Sequence, residues 1–115
     1  MAQEPAPYYQ AARFPHKAAA GKAYDSIQSI IFDEECDLSA YRYFEQHERK
    51  WYVVVIGERP SPQLHQRLET ILLTLARGER VKLDGGILAA LLMRRAQQSQ
   101  LGPWVERHYK APDQE

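Results

Sequence analysis

The run Lys50-Trp51-Tyr52-Val53-Val54-Val55-Ile56 constrains this chain most, because as a strand it has no polar face. Trp51, Val53 and Val55 share one parity, and Tyr52, Val54 and Ile56 share the other. A strand of that kind has to be covered on both sides. Helices of the same chain supply one cover. A partner subunit, the C-terminal segment or a bound ligand are the candidates for the second.

Around this run the chain alternates between the two periodicities of regular structure. Tyr8 to Phe14 is short and aromatic and closes on Phe14-Pro15, as a strand ending where proline removes a donor. From Lys17 to about Phe32, Ala20, Ala23, Tyr24, Ile27, Ile30 and Ile31 recur at three and four, which predicts a helix. Gly21 costs that helix on the order of 1 kcal/mol, so it starts weakly or packs closely there. Asp33, Glu34, Glu35 and Asp37 then form an acidic knot around Cys36. Acidic groups at the negative end of a helix dipole are unfavourable, so the helix stops near Phe32 or a cation lies nearby.

Leu38 to Gln46 and Lys50 to Gly57 are two strands, and the few polar residues around His47, Glu48 and Arg49 make an antiparallel hairpin the natural connection. Ser61 and Pro62 signal the start of a second helix, reaching Ala76 with a stripe of Leu64, Leu68, Ile71, Leu72 and Leu75, and Gly78 stops it. Arg80 to Leu83 alternates as an edge strand does, and Asp84-Gly85-Gly86 turns the chain. A third helix covers about Ile87 to Gln98, and Leu101 to Lys110 repeats the pattern weakly after Gly102-Pro103.

Strand, helix, strand, strand, helix, strand, helix is the order of an α+β chain. Its first six elements fit the ferredoxin-like split β-α-β sandwich, an antiparallel sheet with two helices on one face, here followed by a C-terminal helical extension. The expected organisation is a flexible leader at 1–7, one α+β domain at 8–110 that includes the C-terminal helix, and a flexible tail at 111–115.

With 115 residues, 44% of them hydrophobic, there is material for one modest core. Fifteen basic against fifteen acidic side chains leave no global field to draw the chain onto nucleic acid or an anionic membrane. Charge is uneven, however. The acidic knot lies in the first half, whereas Arg77 to Lys110 carries seven Lys and Arg against Glu79, Asp84 and Glu106, which favours antiparallel self-pairing or an anionic ligand. One cysteine excludes an internal disulfide and a cysteine-rich metal site. No stretch approaches the apolar length of a membrane span, so a cytoplasmic, soluble chain without membrane contact is expected.

Chemistry is weakly declared. His16, His47, His65 and His108 form no zinc signature or catalytic motif, and His65 with Glu69 reads as an ordinary helix-surface pair. Cys36, among acidic neighbours, has its thiolate disfavoured. Gly85-Gly86 matches no nucleotide fingerprint, so no metal site and no cofactor are expected. An open-face platform of Tyr8 or Tyr9, Tyr41, Tyr43 and Trp51 would suit single-stranded nucleic acid, but the run at 50–56 lacks the RNA-recognition consensus.

The expectation is therefore a small intracellular protein-interaction or regulatory module, more a binder than an enzyme, that pairs with itself as a homodimer or with an unlike protein. A single-stranded nucleic-acid module and a small dimeric ferredoxin-like enzyme are the alternatives. The residues expected at the contact are Tyr41, Tyr43, Trp51, Val53, Val55, Arg94, Arg95 and Trp104.

Overall fold

A computed structural model describes the backbone of residues 7–108 and the side chains of residues 7–98. The leader before Pro7, the tail at 111–115 and the side chain of Trp104 lie outside the described residues. The fold is α+β: among the described residues there is a four-stranded antiparallel sheet with three helices, and the chain divides into two compact units, Met1–Lys82 and Leu83–Glu115.

The first unit holds the sheet. Its elements are β1 (Tyr8–Phe14), α1 (Lys17–Glu34), β2 (Leu38–Glu45), β3 (Lys50–Gly57), α2 (Pro62–Glu69), a π-helical continuation of α2 (Thr70–Leu75) and β4 (Glu79–Arg80). The strand order is β2-β3-β1-β4, so β3 pairs on both sides, with Ala12 opposite Val53 on β1 and Ala40 opposite Val55 on β2. Both flanking pairs run antiparallel, and the register sends Tyr8, Ala12, Phe14, Leu38, Ala40, Val53 and Val55 to one face. There they form a core with Ala20, Ala23 and Ile27 of α1 and with Leu64, Leu68 and Leu72 of the second helix. On the other parity Ala11, Tyr41, Tyr52, Val54 and Ile56 are buried as well.

Local signals explain most boundaries. The Ser61 hydroxyl oxygen accepts the Leu64 N–H at 3.1 Å and Pro62 occupies the first turn, so α2 begins where its cap dictates. The four-residue hairpin turn closes by Arg49 N–H donating to the Glu45 carbonyl (2.7 Å), with Arg49 in the left-handed region at φ 57°. The Glu45 carboxylate accepts the N–H groups of His47 and Glu48, which satisfies donors the turn leaves unpaired. Helix α1 runs two residues past Phe32, to Glu34, and ends on Glu35 in the left-handed region. The cation that this extension calls for is present: Arg67 of α2 lies 3.2 Å from the Glu34 carboxylate.

The second helix and the fourth strand also differ from the sequence pattern. The second helix does not stay α-helical to Ala76. It widens over Thr70–Leu75, with the Ala76 N–H donating to the Ile71 carbonyl five residues back (3.0 Å). A wider turn rotates successive side chains less, so Leu75 falls out of the buried stripe and is 72% exposed, whereas Leu72 stays in the core. The strand expected over Arg80 to Leu83 pairs only at Glu79–Arg80, extended by one bond from the Val81 N–H to the Ala11 carbonyl (3.0 Å).

The second unit contains α3 (Gly85–His108). Asp84 starts it by accepting the Ile87 N–H on its side chain and the Leu88 N–H on its backbone carbonyl, both at 3.0 Å. The helix continues through Gly102-Pro103, where the sequence suggested a break between two segments. Proline fixes a helical φ and removes one donor, at a cost of about 3 kcal/mol, so it weakens a helix interior without forbidding it. Among the described residues no helix is long and apolar enough to cross a membrane.

Candidate functional site

Between α1 and the π-helical turn the first unit carries an open groove of about 540 Å³. Ala18, Ala19, Ile71, Leu75 and Ala76 supply its apolar surface, with His16 and Lys22 beside them. A second depression of about 430 Å³ shares Ile71 and Leu75 and continues along α2 past Ile30, Gln66 and Arg67. The groove exists because α1 presents small side chains where the facing turn swings outward. Leu75 is the hinge of that arrangement, since it borders both depressions and is itself exposed. Phe32, on the same helix as Ala18, is 82% exposed, an unusual position for a large aromatic ring. No sequence pattern announces this surface, because the leucine spacing of a regular helix sends Leu75 to the core.

A polar cluster lies where β1 meets α2. Gln10, almost fully buried, donates from Nε2 to the Tyr8 hydroxyl (2.7 Å) and to the His65 backbone carbonyl (3.0 Å). The Tyr8 hydroxyl is 2.9 Å from His65 Nδ1, and the two rings meet edge to face. Burial pushes the Tyr8 phenol above its ordinary pKa, partly opposed by the Gln10 hydrogen bond and by Arg59, whose guanidinium lies 5.6 Å over the ring. These groups satisfy one another and tie β1 to α2. His65 thus takes its partners from the sheet, while Glu69 pairs with Arg80.

On the opposite face of the sheet Arg13 joins three elements. Its guanidinium grips Glu79 with two bonds (2.9 and 2.8 Å) and reaches Glu48 in the hairpin turn at 3.1 Å, while Tyr52 donates to the same Glu48 oxygen at 2.7 Å. Hydrogen bonding to Arg13 holds the Glu79 carboxyl below its usual range, and Glu48 is lowered first by Tyr52 and then by Arg13. Tyr52 is raised by burial and by Glu48. Arg13 rises chiefly through its bonds to Glu79 and Glu48.

Within the first unit the expected contact residues are divided between the two faces of the sheet. Val53 and Val55 are fully buried in the core beneath α1 and α2, so their side chains are internal. Trp51 is half-buried at the margin of that core, tilted against Phe44 at 5.3 Å with the Lys17 ammonium 5.4 Å from its ring. Tyr41 and Tyr43 belong to the opposite face, where Tyr41 is buried and Tyr43 stacks on Tyr52 at 5.2 Å. Arg94 and Arg95 lie on α3 in the second unit, Arg94 exposed and Arg95 half-buried. Trp104 is on the same helix, its side chain outside the described residues.

Cys36 is a free, half-buried thiol whose pKa is raised by burial and then by Glu34 and Asp37, which disfavours the nucleophilic thiolate. Among the described residues no group of three His, Cys, Asp or Glu side chains is placed to hold a metal ion. Neither the protein-family models, nor the curated proteins, nor the solved structures give a match to this chain.

Proposed function

We propose that this chain is a protein-interaction module that associates with a second copy of itself through its helical layer. It rests on one observation: an apolar groove between α1 and the π-helical turn, bordered by an exposed leucine, on a chain whose α1 also exposes a phenylalanine. A contiguous apolar surface left outside a core marks a place that another molecule covers. The hairpin contributes less, because Val53 and Val55 are already used inside.

The strand order supports the finer description of the fold as a ferredoxin-like split β-α-β sandwich. Taken from the β4 edge it reads β4-β1-β3-β2, with β1 and β3 adjacent and central and with α1 and α2 providing the two crossovers. The core formed by α1 and α2 on one sheet face agrees with that plan.

Sedimentation of the whole chain at rising concentration tests the function. A mass moving from one copy to two is expected, and Leu75→Asp should reduce it while leaving the circular dichroism spectrum unchanged. A chain that stays monomeric at high concentration overturns the proposal.

A further inference from the structure

We infer that β2 is a docking edge at which two copies of the chain pair antiparallel, continuing the sheet of one copy into the sheet of the other. The groove lies on one flank of α1 and β2 on the other, so this contact goes beyond the one proposed above and closes on its own two-fold axis.

The two edges of the sheet are built differently. β4 is two residues long and both are charged, Glu79 bonded to Arg13 and Arg80 to Glu69, which is how a guarded edge is made. β2 has eight residues, contains no proline or glycine, and pairs with β3 one to one from Leu38 to Glu45 without a bulge. Its one mid-strand charge, Arg42, is laid back over the Tyr24 ring of α1 at 5.1 Å. The Glu58 N–H donates to the Asp37 carbonyl (3.0 Å), which sets the phase of the ladder: odd residues of β2 turn their backbone groups to β3. Leu38, Ala40 and Phe44 therefore turn theirs to the outer side, where no further strand lies among the described residues.

The two ends of this edge complement each other. At the hairpin end Phe44 is 41% exposed and packs on Trp51, with the Lys17 ammonium over the same indole. At the opposite end are the exposed ring of Phe32 and the exposed carboxylate of Glu35. Tyr24, Gln28 and Phe32 follow at intervals of four, and Tyr24 lies against Arg42, so this is the β2 flank of α1. An antiparallel pair centred on Tyr41 sets Leu38 of one copy against Phe44 of the other and Ala40 against Arg42. It also brings the acidic aromatic corner of each copy to the basic aromatic corner of the other, whereas a parallel pairing sets like charge on like. The cost is Asp37 facing Glu45 of the second copy. It is limited, because the Glu45 carboxylate is turned back onto the N–H groups of His47 and Glu48.

An eight-residue strand is about 27 Å long. With a helix of about 10 Å diameter above the sheet, the pair buries on the order of 1,000 Å², the lower bound for a specific interface and enough for a concentration-dependent dimer.

Amide hydrogen exchange of the whole chain at rising concentration reads the edge directly. The Leu38, Ala40 and Phe44 amides should slow about tenfold or more as the mass grows. Leu75→Asp removes the groove contact and should leave this slowing in place. On that background Lys17→Glu should weaken association severalfold, and adding Glu35→Lys should restore it. Both side chains are exposed, so the melting temperature of each variant should match its parent. Association without slowing at these three amides overturns the edge, as does a double swap that restores nothing. If the Leu75→Asp chain is monomeric, the edge falls and the groove stands; if Leu75→Asp changes nothing while the three amides slow, the groove falls and the edge stands.

Discussion

Gly78 lies against the ring of Phe14. A β-carbon built on that glycine would stand 2.6 Å from Cζ and 2.7 Å from Cε2 of the ring, and 2.8 Å from the Leu72 carbonyl oxygen. Phe14 is fully buried, and the Gly78 N–H donates to that same carbonyl at 2.8 Å, so neither neighbour is free to move aside. Gly78→Ala should therefore destabilise the chain by about 2–3 kcal/mol, the cost of overpacking a filled core. Urea denaturation checks this, and an unchanged midpoint would refute the close contact.

Gly21 behaves in the opposite way. Its β-carbon would meet only Arg42 Nη1 at 3.4 Å, the tip of a flexible side chain. Gly21→Ala should then raise stability by about 0.5–1 kcal/mol, because a helix-interior glycine gives up more backbone freedom on folding than alanine does. The melting temperature of the variant tests it.

The buried amide of Gln10 yields a third outcome. Gln10→Leu leaves the Tyr8 hydroxyl and the His65 carbonyl without this donor, and should cost about 1–3 kcal/mol. Tyr8→Phe, which removes the hydroxyl from the same cluster, should give less than the sum of the two effects when combined with Gln10→Leu. Additive losses in that double-mutant cycle would show that the groups act independently.

Acid should loosen the Arg13 cluster. The Glu79 and Glu48 carboxyls are lowered in the folded chain, so their contribution is present above the unfolded value of about 4.3 and is lost as pH falls through the lowered folded values. Arg13→Gln should return Glu79 to the ordinary range. Glu48 should shift only in part, since Tyr52 is its larger cause and Tyr52→Phe should move it further. Carboxyl carbon chemical shifts followed from about pH 7 to about pH 2 report both midpoints.

Several elements were legible because their signals are local. Ser61-Pro62 announced the second helix, and the parity of Trp51 to Ile56 separated the two faces of β3 before any pairing was known. Tyr8–Phe14 matched its strand from aromatic content and Pro15 alone. The acidic end of α1 posed a choice that long-range packing resolved, by bringing Arg67 to Glu34. The site was harder. Sequence parity could place Val53 and Val55 on a covered face, but the identity of the cover decides whether a residue is core or contact, and here α1 and α2 are close enough to claim them. His65 looked like a partner of Glu69 because four residues along a helix is the only relation the sequence displays. Its actual neighbours, Tyr8 and Gln10, are more than fifty residues away, and the clue was a polar Gln10 at an inward position of β1.

The widened turn at Thr70–Leu75 separates two leucines that a regular repeat would treat alike. Leu72 is answerable to the interior, and any smaller or polar replacement there is judged by folding itself. Leu75, largely exposed, answers to no such judge, and on the proposed reading its oily side chain is matched instead to the molecule that settles on it.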